Sequence, residues 1–220
     1  MGKTILTPLQ KNAIKIIAQC ADIPRLFYLT GGTALAEFYL QHRFSDDLDF
    51  FTNTVEFPTQ AVESAVEKVR KALGADEVRY RRAYDRRMFF FPIASEELKI
   101  EFTYYPFAPI HQPSDIQGLG VDSLEDIAAN KLMALFDRIE PKDFADLFFI
   151  LKETEITVPK LRELLATKFH LRPEAVTLGS EFAKVRSLEA LPKMIKPLTI
   201  AELKQFFSDQ ARELAPEIFK

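Results

Sequence analysis

The sequence predicts an α+β protein: a mixed sheet with flanking helices, followed by a C-terminal helical region. Three observations carry this. A short apolar run, Leu26-Phe27-Tyr28-Leu29, ends in Gly31-Gly32 and is followed by an apolar-periodic segment with Thr33, Leu35, Ala36 and Leu40, which reads as strand, tight turn and helix. Three further strand-like runs, 77–83, 86–93 and 97–105, are separated only by Tyr84-Asp85 and Ala94-Ser95-Glu96 and read as an antiparallel meander that extends the sheet. From Ser123 onward the periodicity is helical, with prolines punctuating the segments.

Taken in order, residues 7–21 place Leu9, Ala13, Ile16, Ile17 and Cys20 at helical spacing behind a Thr7 cap, with Pro8 at the first helical position. After the glycine pair comes Asp47-Leu48-Asp49-Phe50-Phe51, whose alternation is that of a strand. A helix over 59–73 buries Val62, Ala65, Val66 and Val69, turns Glu63, Glu67, Lys68, Arg70 and Lys71 to water, and stops at Gly74. Residues 106–122 are rich in Pro and Gly without a period and read as a linker or a loop over the site. The expected division is therefore a core domain over 1–110 and a C-terminal helical domain over 123–220 that completes the active-site cleft. Helices in the second part are expected at 123–139, 141–153 and near 157–168, 173–186 and 199–213.

At 220 residues and 47% hydrophobic content the chain can bury a sizeable core. Its single cysteine, Cys20, rules out a disulfide within the chain and favours a reducing compartment. A net charge of −3 argues against a general nucleic-acid coat protein but leaves room for a local basic patch. No apolar run approaches the roughly 18 residues of a membrane span, so a cytoplasmic protein with no membrane partner is expected. His42 and His170 have no partner at metal-ligand spacing, His111 lies in the Pro- and Gly-rich loop, and zinc is unsupported.

The chemistry concentrates in residues 26–52. Two adjacent glycines remove the Cβ atoms that would block close approach of a ligand to the backbone, and a helix beginning after them aims free N–H groups at that place, a setting suited to phosphate. Strand alternation puts Asp47 and Asp49 on one face, with backbones about 7 Å apart, so both carboxylates can converge on one metal ion. In the run 97–105 the apolar Leu98, Ile100, Phe102 and Tyr104 alternate with Lys99, Glu101 and Thr103. That places Glu101 on the polar face of a strand able to lie beside the aspartates. It is read as a third carboxylate, the alternative being a surface Glu cross-paired with a basic neighbour.

The Gly-Gly-Thr, spacer, Asp-x-Asp arrangement resembles the DNA polymerase β-like nucleotidyltransferase superfamily. The longer stretch GGTALAEFYLQHRFSDDLDFF is similar more specifically to the AbiEii/AbiGii toxin family, with Arg43 and Ser45 as the Arg-x-Ser that precedes Asp-x-Asp. That family's helical signature falls on Lys131, Arg138, Asp143 and Asp146. The resemblance implies a polymerase β-like mixed sheet and transfer of a nucleotide from NTP to an acceptor hydroxyl such as a tRNA 3′ end. It also implies the toxin half of a toxin–antitoxin or phage-defence pair, with a cognate antitoxin as a partner. Asp47, Asp49 and Glu101 would then be catalytic and ligate Mg²⁺, with two ions expected. Gly31, Gly32 and Thr33 would cradle the triphosphate and Lys131 would neutralise it, while Arg43, Ser45 and Asp146 would support nucleotide binding.

The first hairpin carries Arg79, Arg81, Arg82, Arg86 and Arg87 with Tyr80 and Tyr84 among them. Five guanidiniums interleaved with aromatics can hold an acceptor's phosphate backbone and stack a base, or they can blunt an exposed sheet edge with charge. Two other readings stay open: a non-toxic nucleotidyltransferase acting on a small-molecule or protein hydroxyl, and a catalytically idle module that binds RNA or protein. The intact Asp-x-Asp favours an enzyme, and the basic hairpin favours a nucleic-acid acceptor.

Overall fold

A computed structural model describes residues 4–218. The chain divides into two compact units, one of residues 1–37 and 45–123, the other of residues 38–44 and 124–220.

The first unit is a sheet flanked by helices. Helix α1 (Pro8–Ala18) opens with a capping box in which the Thr7 hydroxyl accepts from Gln10 N–H and the Gln10 side chain accepts from Thr7 N–H. A short helix α2 (Ile23–Leu26) leads into strand β1 (Tyr28–Thr30), and helix α3 (Gly31–Leu35) follows it directly, without the separate turn that the glycines suggested. Gly31 serves as the turn itself, through a backbone φ of +73°. Helical structure continues as a π-turn over Ala36–Leu40. Strand β2 (Asp47–Thr52) shows strict alternation of half-buried and buried residues. Helix α4 (Thr59–Leu73) buries Val62, Ala65 and Val69 and ends at Gly74 in the left-handed region, with φ of +67°.

The meander follows as β3 (Arg79–Ala83), β4 (Arg86–Ile93) and β5 (Glu96–Tyr104), antiparallel throughout. The stretch expected to be a linker instead adds two short strands, β6 (Ser114–Ile116) and β7 (Leu119–Val121), and β7 pairs parallel with β1. Three-residue strands are too short to display a period, and the parallel partner of β7 lies about ninety residues away, so the sequence pattern could not place them. The sheet has seven strands in the order β3-β4-β5-β2-β1-β7-β6. On its covered face Leu48, Phe50, Ile100 and Phe102 are fully buried, and Phe50 stacks on Phe102 with ring centroids 5.2 Å apart.

The second unit is helical: α5 (Leu124–Asp137), α6 (Pro141–Glu153), α7 (Val158–Phe169), α8 (Ala175–Ala183), a 3₁₀ turn at Lys184–Ser187, α9 (Ile200–Glu213) and α10 (Ala215–Ile218). Its core contains Leu132, Leu135, Phe144, Leu161, Phe182 and Phe207, with Phe144 and Phe207 in edge-to-face contact. Residues 38–44 belong to this unit: Phe44 N–H donates to Lys193 O, and His42 O accepts from Ile195 N–H and Lys196 N–H. Among the described residues no helix is long and apolar enough to cross a membrane.

Candidate active site

Strands β2 and β5 run parallel, with Asp47 opposite Lys99 and Asp49 opposite Glu101. Because adjacent strands lie about 4.8 Å apart and side chains alternate between faces, this register gathers Asp47, Asp49, Lys99 and Glu101 on one face of the sheet. Thr30 is the antiparallel partner of Asp49 on its other side, so Gly31 begins α3 beside the Asp49 carboxylate. A Cβ built on Gly31 would stand 2.5 Å from Asp49 Oδ2. The first glycine is thus required twice, for its positive φ and for the space that the carboxylate occupies. Thr33 is fully buried and donates its hydroxyl to Asp47 O, which pins the start of β2 to α3. Its side chain is therefore engaged by backbone.

Cations balance the acids. Lys99 Nζ lies 3.0 Å from Asp47 Oδ2 and 3.2 Å from Glu101 Oε2. Arg86 on β4 grips Glu101 with both arms, Nη2 donating to Oε2 at 2.8 Å and Nε to Oε1, and Thr103 Oγ1 donates to Oε1 at 3.0 Å. Glu101 is only 2% exposed. Burial alone would raise its pKa, but Arg86, followed by Lys99 and Thr103, holds it below the ordinary value. For Lys99 burial works against the ammonium, and the charges of Asp47, Glu101 and Asp49 outweigh it, so its pKa is raised. Glu101 thus stands in the same row as the aspartates and is also one partner of a cross-strand ion pair, buried rather than on the surface as the alternative reading had it.

A second cluster lies within the helical unit. Asp146 on α6 is fully buried and accepts from Arg43 Nε at 2.6 Å and Nη2 at 2.8 Å, and its Oδ1 lies 2.6 Å from His42 Nε2. Lys131 Nζ on α5 lies 2.7 Å from Asp146 Oδ2 and 2.9 Å from Asp143 Oδ1, and Arg138 Nε donates to Asp143 Oδ2 at 2.8 Å. Asp143 and Asp146 share a face of α6 at i and i+3, which lets one ammonium bridge both. Burial would raise the pKa of both aspartates, but Lys131 and the arginines hold Asp143 below its ordinary value and Asp146 well below it. The Lys131 ammonium, expected to neutralise a triphosphate, is engaged by these two carboxylates. Sequence spacing missed His42, whose partner is 104 positions away.

The structure thus groups Gly31, Gly32, Thr33, Asp47, Asp49 and Glu101 in the sheet unit, and Arg43, Lys131 and Asp146 in the helical unit. Ser45 lies in the sheet unit, where its carbonyl accepts from Gln10 Nε2 at 2.7 Å. In the hairpin, Arg79, Arg81 and Arg82 are exposed on β3, Tyr84 is 94% exposed, and Arg79 pairs with Glu97. Arg87 places its guanidinium 3.4 Å from the centre of the Phe57 ring. Arg86 turns to the carboxylate site while staying partly exposed, and Arg79, Arg81 and Arg82 remain exposed on β3, with Arg82 on the opposite strand face from the other two. Lys99 and Thr103 stand at the site although the sequence reading singled out neither.

A family model described as the nucleotidyl transferase AbiEii toxin, type IV TA system, matches residues 17–219. The chain belongs to the AbiEii family. As an AbiEii nucleotidyltransferase it is an enzyme of nucleotidyl transfer. An uncharacterised protein of Aquifex aeolicus (strain VF5) is 29% identical over 190 residues, covering 85% of this chain and 87% of the relative. Among solved structures, one assigned as a nucleotidyltransferase from H. pylori aligns with a TM-score of 0.58 at 23% identity, covering 96% of each chain. JHP933 from Helicobacter pylori aligns with a TM-score of 0.57 at 23% identity, covering 94% of this chain and 90% of that one. These two likenesses establish a common fold for the AbiEii chain, a mixed sheet with flanking and C-terminal helices.

Among the described residues no group of three or more His, Cys, Asp or Glu side chains is gathered closely enough to hold a metal ion as it stands. The donors nevertheless suit Mg²⁺: Asp47 and Asp49 offer hard oxygens, and the Lys99 ammonium already rests among carboxylate oxygens of the same face, so the place stabilises positive charge.

Proposed function

We propose that this AbiEii enzyme transfers a nucleotide from NTP to the hydroxyl of a nucleic-acid acceptor, with the 3′ end of a tRNA as the acceptor class, and acts as the toxin of a toxin–antitoxin pair. The observation that carries the reading is the placement of Asp47 and Asp49 on β2, between the Gly31 backbone and the Glu101 row of β5. In the reaction the acceptor oxygen bonds to the α-phosphorus of the NTP, the bond from that phosphorus to the β-phosphate oxygen breaks, and pyrophosphate leaves. Asp47 and Asp49 would hold Mg²⁺, with Glu101 as the third carboxylate, and the bound ions would supply the positive charge that a loose, charge-rich phosphoryl transition state requires.

The chain's own groups do the remainder. The Gly31-Gly32 backbone cradles the triphosphate, and because Gly31 carries no Cβ the Asp49 carboxylate can stand directly beside that backbone. Thr33 keeps that backbone and β2 in fixed relation through its bond to Asp47 O. A carboxylate of the Asp47, Asp49 and Glu101 set takes the proton of the acceptor hydroxyl. The roles expected of Arg43, Ser45, Lys131 and Asp146 in nucleotide binding belong to this proposal as well, with Lys131 and Arg43 acting through the Asp146 carboxylate that both engage. Arg79, Arg81 and Arg82 hold acceptor phosphates. Their exposure on the outermost strand supports a nucleic-acid acceptor over a small molecule.

The test is incubation with each α-labelled NTP, Mg²⁺ and total cellular RNA or protein. The reading expects label in the RNA fraction, in small RNA above all. Label confined to protein or to a small molecule contradicts the acceptor assignment, and label in no fraction contradicts transfer.

A further inference from the structure

Among the described residues, two cations, Arg86 and Lys99, pair with carboxylates of the site, and they are held differently. Arg86 reaches Glu101 through a planar fork with two parallel hydrogen bonds, an arrangement favoured by the β4–β5 register. Lys99 touches the same site with one compact ammonium on a flexible four-carbon stem, shared between Asp47 and Glu101. Its stem rises from β5 directly opposite Asp47, two register positions from the Asp49–Glu101 pair and on the same face. The lysine side chain remains 19% exposed, so the ammonium can swing outward without any movement of the strand.

We propose that Lys99 is the resident counter-ion of the carboxylate site, and that a divalent ion binds there by exchange, displacing the ammonium from Asp47. This rests on the metal-binding role of Asp47 and Asp49 proposed above. The driving force is electrostatic. Three carboxylates on adjacent strands repel one another, and Glu101 has its own partner in Arg86, so the charge of Asp47 is balanced by Lys99. An ion that bonds to Asp47 Oδ2 cannot share that oxygen with an ammonium 3.0 Å away without strong like-charge repulsion. The lysine therefore leaves, and the cost of breaking its two ion pairs is subtracted from the affinity of the metal. Lys99 in this way keeps the acid set folded and paired when no metal is present, and it sets how much free metal is needed to load the site.

The test uses Mn²⁺ alone as the probe, titrated into the wild type, Lys99→Met and Asp47→Asn and read by the electron paramagnetic resonance signal of free Mn²⁺. Lys99→Met keeps the length of the stem and the alternation of the strand. It is expected to bind Mn²⁺ about tenfold tighter than the wild type, the scale of one charge-assisted hydrogen bond, while Asp47→Asn binds much more weakly. Equal or weaker binding by Lys99→Met, with Asp47→Asn weakened, overturns the exchange and leaves the metal reading intact. Wild-type affinity in Asp47→Asn overturns both. A second measurement needs no variant: lysine acetylation of the wild type, quantified by mass spectrometry with and without Mn²⁺. Label at Lys99 should rise severalfold relative to the exposed Lys15 when Mn²⁺ is added. Unchanged or reduced label at Lys99 contradicts displacement.

Discussion

Asp49 on β2 and Glu101 on β5 stand opposite each other in a parallel ladder, while the same Asp49 carboxylate fills the space where a side chain of Gly31 would begin. One carboxylate thus links the sheet's acidic row to the backbone proposed to cradle the triphosphate. Gly31→Ala should disturb both. The substitution places a Cβ 2.5 Å from Asp49 Oδ2 at a φ of +73°, and the left-handed backbone alone costs about 1–2 kcal/mol. Urea unfolding should register that cost, and nucleotide transfer should fall by more than the smaller folded fraction explains. Wild-type activity in a stably folded Gly31→Ala protein would separate Asp49 from the chemistry.

Breaking the ion cluster of the helical unit should be costly. Lys131→Met removes the ammonium that bridges Asp143 and Asp146, both fully buried, leaving Arg43, His42 and Arg138 to compensate. A decrease of about 3 kcal/mol in stability is expected, the lower end for breaking a buried pair because other partners remain. Chemical denaturation with an unchanged m-value provides the check. Parallel calorimetric titrations of ATP and AMP with a non-catalytic metal ask whether Lys131 also serves the triphosphate, since selective weakening for ATP is the signature of that role.

The same cluster fixes a dependence on acid. Asp143 and Asp146 have pKa values held below their ordinary range in the folded state, so the unfolded chain binds more protons as pH falls through that range. Stability should therefore be level above about pH 5 and decline steadily below about pH 4, where unfolded carboxylates begin to protonate. Asp146→Asn should lower the whole curve and flatten its acid limb. Urea midpoints across this range, giving the same acid slope for the variant as for the wild type, would assign the acid sensitivity elsewhere.

Charge reversal at Arg81 and Arg82 tests the exposed hairpin. Both are exposed on β3, while Arg86 and Arg87 are engaged at Glu101 and Phe57. Affinity for a tRNA acceptor should fall at low salt, and the slope of log affinity against log salt should drop by about one for each phosphate that the hairpin no longer neutralises. Binding of free NTP should stay as in the wild type.

Much of the sheet unit was legible because its signals are local. Helix α4 was bounded by Pro58 and Gly74, the β3–β4–β5 meander by its two short turns, and the shared face of Asp47 and Asp49 followed from alternation alone. What escaped depends on pairing between distant segments. Lys99 looked like any charged residue on a polar strand face until the parallel register set it opposite Asp47. Arg86 looked like one of five hairpin arginines, yet its position on β4 turns it to Glu101. His42 and Arg43 lie three and two residues before Ser45, but they pair with Asp146 on α6, 104 and 103 residues away, because that carboxylate supplies the counter-charge that their burial demands.

The most direct test of the central claim is the rate of nucleotide transfer from α-labelled NTP to RNA by the wild type, Asp47→Asn and Asp49→Asn, each shown to be folded by circular dichroism and thermal melting. If the two aspartates hold the metal that stabilises the transferring phosphoryl group, each variant should be slower by about a hundredfold or more while remaining folded. Near wild-type transfer by either variant would contradict the assignment of the β2 face as the catalytic centre.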